Sequence, residues 1–91
     1  MTADQIIQQL KLSPHPEGGW YRQTWQAENE GRATGTCIYF LLKAEERSHW
    51  HRVDATEIWL YHAGAPLVLS MAAHDAGPAQ DHLLTPDLTT G

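Results

Sequence analysis

The stretch SHWHRVDATEIWLYHAG, residues 48–64, decides how the rest of the chain is read. Two histidines, His49 and His51, stand one residue apart; Glu57 follows six positions after His51, and Gly64 seven after that. If residues 48–53 are extended, side chains two apart share a face, so His49 and His51 look one way and Trp50 and Arg52 the other. The VDAT step at 53–56 then lets the chain reverse, and an antiparallel strand over 56–62 brings Glu57 back toward both imidazoles. Trp59 and Tyr61 share the parity of Glu57 and give that face aromatic walls, while Ile58, Leu60 and His62 fall on the opposite side. Gly64 suits the tight turn that ends the strand.

Two imidazoles and a carboxylate are donors for a borderline divalent ion such as iron, manganese, nickel, cobalt or zinc. The same residues also suit a metal-free cavity in which the histidines hydrogen-bond to Glu57 or a tyrosine. Both readings stay open at the level of spacing.

Working outward, TGTCIYFLLKA (34–44) is a near-continuous apolar run, rich in β-branched and aromatic residues, and reads as a central strand. Cys37 within it is expected to be a buried small hydrophobe. WYRQTWQA (20–27) is a strand with apolar and polar groups on both faces, and PLVLSMAA (66–73) is another. HLLTPDL (82–88) is a weaker last strand or extended segment. At the N-terminus, Thr2 and Gln5 have capping-box spacing and Ile6, Ile7 and Leu10 recur at helical offsets, so residues 3–10 form a short amphipathic helix ended by Pro14 and Pro16. HPEGG (15–19) is turn chemistry that leaves His15 facing solvent. His62, His74 and His82 are expected to be surface or structural, and Arg22 a paired or snorkelling surface residue. Tyr39 and Tyr61 can place hydroxyls in a cavity or pack as aromatic core. One terminal helix followed by several short strands, with no helix between them, predicts an all-β antiparallel barrel or sandwich in a single domain, residues 1–91.

Composition narrows the function classes. A formal charge of -5 with six Lys plus Arg argues against nucleic acid as a partner, because that affinity comes from clustered cations. No run approaches the roughly 20 apolar residues of a membrane span, and no basic, apolar leader precedes the helix, which predicts a soluble cytoplasmic protein. The lone cysteine forms no intrachain disulfide, and no phosphate loop, paired Cys-x-x-Cys or nucleophile elbow is present.

At residues 48–64 the sequence resembles the cupin superfamily, whose first motif runs Gly, five residues, His-x-His, three or four residues, Glu, six residues, Gly. His49, His51, Glu57 and Gly64 match in order, but five residues separate His51 from Glu57 and Lys43 stands at the leading glycine. A closer resemblance, at HPEGGWYRQTW (15–25), IYFLL (38–42) and SHWHRVDATEIWLYHAGAPLVL (48–69), is to the small cupin group called Cupin 5, or domain of unknown function 985. That resemblance implies a cupin-type jelly-roll β barrel, incomplete at the C-terminus because a second motif lies beyond Gly91. It also implies a homodimer and a pocket bounded by His49, His51, Glu57, Trp59, Tyr61 and Tyr39 that takes a small polar molecule. A divalent metal on His49, His51 and Glu57 and no cofactor at all are equally compatible with it. Two function classes follow: an isomerase or epimerase-like enzyme using His49, His51 or Glu57, and a noncatalytic binding or structural module, including a truncated, defective copy.

Overall fold

The computed structural model describes residues 1–28, 30–73 and 77–89. The chain divides into two units, Met1–Arg52 and Val53–Gly91, each considered by itself. It is all-β with one short helix, and every strand pairing is antiparallel.

In the first unit, α1 (Ala3–Leu10) begins at Thr2, whose hydroxyl accepts the Gln5 amide while the Gln5 side chain accepts the Thr2 amide: the predicted capping box. The helix ends earlier than the prolines require. Lys11 adopts the left-handed conformation at φ 56, and the Leu12 amide returns to the Ile7 carbonyl at 2.9 Å, so a C-cap turn stops the helix and drives Leu12 inward. Leu12 is the one apolar side chain buried outright among the described residues.

A two-residue edge strand, β1 (Ser13–Pro14), then pairs with β2 (Trp20–Gln26), which pairs on its other side with β3 (Thr36–Leu41). Proline is tolerated in β1 because an edge strand need not donate on both sides. The apolar run expected to be central is therefore the edge of this sheet, and β2 is its middle strand. Register explains the mixed faces of β2. Trp20 and Arg22 lie opposite Leu41 and Tyr39 on one face, and Tyr21 and Gln23 lie opposite Phe40 and Ile38 on the other. A bulge between Gln23 and Trp25 inserts Thr24, whose hydroxyl donates to the Cys37 carbonyl at 3.3 Å, and it shifts Trp25 to pair with Cys37. Trp25 thus joins the Trp20 face. Cys37 is exposed, contrary to expectation, because β3 lies at the sheet edge, where Ile38 is also 45% exposed.

Lys43 ties α1 to the Trp20 face. Its Nζ is 2.9 Å from the Asp4 carboxylate and 5.1 Å from the Trp20 ring centroid, and its amide donates to Glu46 Oε1 at 2.7 Å. The hydrogen bond to Asp4 raises the Lys43 ammonium above its ordinary 10.5.

In the second unit, β4 (Leu67–Met71) pairs with β5 (Gln80–Leu84), with Ser70 Oγ donating across the pair to Asp81 at 2.6 Å. The last strand begins earlier than the expected 82–88, because Leu69 and Met71 take His82 and Gln80 as partners. Two expected strands, 48–53 and 56–62, are absent among the described residues. A strand is defined by hydrogen bonds to a neighbour, and among the described residues neither segment joins a ladder. The described ladders are one sheet of three strands and one of two, not a closed barrel. No described helix is long and apolar enough to cross a membrane.

Three substitutions test the first unit. A Cβ at Gly18, where φ is +105, would sit 2.2 Å from the Arg47 carbonyl oxygen, so Gly18→Ala should lower unfolding free energy by about 3 kcal/mol in urea titrations. Gly31, also at positive φ but with open space around it, should lose only about 1 kcal/mol on the same change. For Lys43, a folded pKa raised above the unfolded 10.5 contributes stability fully present below 10.5 and lost as pH rises through the raised value. Lys43→Met should therefore lower Tm at neutral pH, with the gap to the parent protein narrowing as pH climbs past 10.5.

Candidate functional site

The turn from His15 to Gly19 joins β1 to β2 and organises the histidine-bearing segment behind it. The His15 amide donates to the Gly19 carbonyl at 2.8 Å, and the Gly18 amide donates to the His15 carbonyl at 3.0 Å. Gly18 and Gly19 both have positive φ, at +105 and +80. Their missing side chains let other groups approach: the Arg47 carbonyl and the His49 ring edge against Gly18, and Phe40, Leu41 and Leu42 against Gly19. The His49 amide then donates to the Glu17 carbonyl at 2.6 Å. His49 is held by its backbone, whereas its imidazole is exposed.

His51 folds back on the same segment, with Nδ1 2.7 Å from the His49 carbonyl oxygen. A carbonyl oxygen only accepts, so Nδ1 carries the proton and Nε2 of the neutral ring keeps a lone pair. This bond between residues two apart replaces the expected strand parity as the feature that orients His51. His15 also departs from its expected solvent-facing role. It is half-buried, with Tyr21 and Phe40 packed edge-on at ring centroid distances of 4.8 Å and 5.4 Å, and its Nδ1 accepts the Glu17 amide at 3.0 Å. The sequence signal that could have shown this is a histidine two residues before a free amide in a Pro-Glu-Gly-Gly turn.

Glu57, Trp59 and Tyr61 belong to the second unit. The predicted alternation survives there without a ladder: Trp59 and Tyr61 are half-buried, whereas Ile58 and Leu60 are 80% and 83% exposed and His62 is exposed. Glu57 is exposed as well. The chain bends at Asp54 and Ala55, within the VDAT step. Tyr61 donates its hydroxyl to the Gly64 carbonyl, and Gly64 takes φ +103 in the turn assigned to it. Within neither unit do three or more His, Cys, Asp or Glu residues among those described come together as a metal-holding group.

The remaining candidates are dispersed. Tyr39 lies on β3 opposite Arg22, both exposed. His82 is exposed and sits within β5, and His74 lies outside the described residues. An open groove along α1, lined by Met1, Gln5, Gln8, Gln9 and Lys11, contains none of the candidate residues.

The profile of the family described as Cupin 5, Cupin superfamily (DUF985), matches residues 4–91. The chain belongs to this family. A protein from Shewanella oneidensis, solved by X-ray crystallography, is 38% identical and superposes with a TM-score of 0.91 over 100% of this chain. This Cupin 5 chain spans 59% of the length of that structure. No curated protein matches it.

The His51 geometry makes a direct spectroscopic prediction. Long-range proton–nitrogen correlations of the neutral ring should report a protonated Nδ1 at His51; a dominant Nε2-protonated form would contradict the hydrogen bond to the His49 carbonyl.

Proposed function

We propose that this Cupin 5 chain is a jelly-roll domain that binds a small polar molecule through its His49–His51 segment. The observation that carries the reading is the hydrogen bond from His51 Nδ1 to the His49 carbonyl, which presents an unshared pair on Nε2. That atom accepts a proton from a bound ligand or donates its pair to an ion. Half-buried Trp59 and Tyr61 supply apolar surface beside Glu57 in sequence, the usual combination of flat walls and a few polar groups in a ligand site.

As an enzyme, the domain fits an isomerase or epimerase in which His51 Nε2 removes a proton next to a ligand carbonyl and returns it. A divalent ion at this segment would be held by His49 and His51 and would polarise a ligand oxygen as a Lewis acid. The carbonyl-oriented His51 has the donor arrangement common among metal ligands. Two imidazoles hold an ion less firmly than four protein donors, so occupancy should be weak. The second reading, a noncatalytic binding module, is favoured by the exposure of His49, His51 and Glu57, since proton transfer gains most in a site closed to water. We also propose a homodimer formed through the β3 edge, where a second copy would cover the exposed Ile38.

These proposals meet in one set of measurements. Protein purified without affinity-tag metals should carry well under one ion per chain; a stoichiometric ion that survives dialysis and disappears in His51→Ala would overturn the weak-metal reading. Ligands that raise Tm in a screen of sugar phosphates and hydroxy acids should lose that effect in His51→Ala. Unchanged stabilisation in that variant would remove the site assignment. Sedimentation should give a dimer, and a compact monomer at every concentration would exclude it.

A further inference from the structure

His15 has every hydrogen-bonding atom but one committed. Its amide donates to Gly19, its carbonyl accepts from Gly18, and its Nδ1 accepts from the Glu17 amide at 3.0 Å. A backbone amide only donates, so Nδ1 must hold a lone pair, and the proton of the neutral imidazole resides on Nε2. The ring cannot easily rotate away from this arrangement, because Tyr21 and Phe40 meet it edge-on at interplanar angles of 76° and 77°. Among the described residues Nε2 makes no hydrogen bond, and the one buried side-chain polar atom without a partner is Trp20 Nε1. The Nε2–H of His15 is therefore open to an outside acceptor, although its ring is half-buried and aromatic groups flank it.

We propose that His15 is a ligand-binding donor whose fixed Nε2–H bonds to the carbonyl or carboxylate oxygen of a small molecule resting on the Tyr21 and Phe40 surface. Three features support it. The donor's direction is set before binding, so little ordering entropy is lost when the bond forms. The neighbouring rings supply apolar surface for the rest of the ligand. The turn that holds His15 also holds the His49 backbone, through the Glu17 carbonyl, so donor and histidine segment share one support. His15 and His51 consequently present opposite chemistry at the same ring atom: a proton on Nε2 of His15 and a lone pair on Nε2 of His51. The proposal deepens the pocket reading and rests on it only for that shared support.

The test uses the whole 91-residue chain and two probes, benzamide for a neutral carbonyl and benzoate for a carboxylate. Ring-nitrogen spectra should show His15 as the Nε2-protonated form, and one or both probes should move its Nε2 resonance saturably. Whichever probe moves it identifies the oxygen class. His15→Asn keeps an acceptor for the Glu17 amide but removes the Nε2 donor; its Tm should stay within a few degrees of the parent, and its probe affinity should fall about three- to tenfold. His15→Gln restores a donor near the Nε2 position and should recover part of that loss. An Nδ1-protonated His15, no probe response at its ring, or equal affinity in His15→Asn each overturns the proposal. The spectra of the unsubstituted protein decide the matter even if the variants fold poorly. His51→Ala run beside them separates the two readings: binding lost there but kept in His15→Asn rejects His15 alone, and the converse supports His15 while rejecting the His51 pocket.

Discussion

The close approach of Gly18 to the backbone at Arg47 is the constraint on which the first unit depends. A methyl group in that position would lie 2.2 Å from the Arg47 carbonyl oxygen, so only glycine lets the stretch around residue 47 lie on the His15–Gly19 turn. Once it does, the His49 amide reaches the Glu17 carbonyl at 2.6 Å. Gly19 plays the same part against Phe40, Leu41 and Leu42. One five-residue turn thereby gathers the β1–β2 connection, the end of β3 and the histidine segment. The position of His49 is a consequence of backbone packing, whereas His15 is held by its Nδ1 bond and by the Tyr21 and Phe40 rings as well.

The same backbone also selects side-chain chemistry. His15 meets an amide and must accept through Nδ1; His51 meets a carbonyl and must donate through Nδ1. Two identical side chains are thus set in opposite tautomers by main-chain groups of opposite polarity, without a charged partner in either bond. Lys43 shows the electrostatic counterpart. It occupies the position of the leading glycine in the general cupin motif and uses its length to join Asp4 of α1 to the Trp20 ring.

Features governed by near neighbours along the chain were the most legible. The capping box at Thr2 and Gln5, the extent of α1, the body of β2 and β3, the positive φ of Gly64 and the alternating exposure from Ile58 to His62 all follow local patterns. Cupin 5 membership was also legible, from motifs spread over most of the chain. The Thr24 bulge was not, because an inserted residue is visible only as a shift in pairing with Cys37 and Ile38. Nor was the edge position of β3: TCIYFLL is equally apolar whether one or two neighbours flank it.

The sequence by itself determined which segments could alternate, cap or turn, since each depends on side chains within a few residues and on the φ each residue tolerates. It also determined the donor types at His49, His51 and Glu57. Only tertiary structure decided that 48–53 and 56–62 are not ladder strands in the described sheets, that Trp25 shares the Trp20 face, and that His15 is half-buried with one free N–H. The first two turn on which backbone group from a distant part of the chain arrives to donate or accept, and the burial of His15 turns on the Tyr21 and Phe40 rings that pack against it.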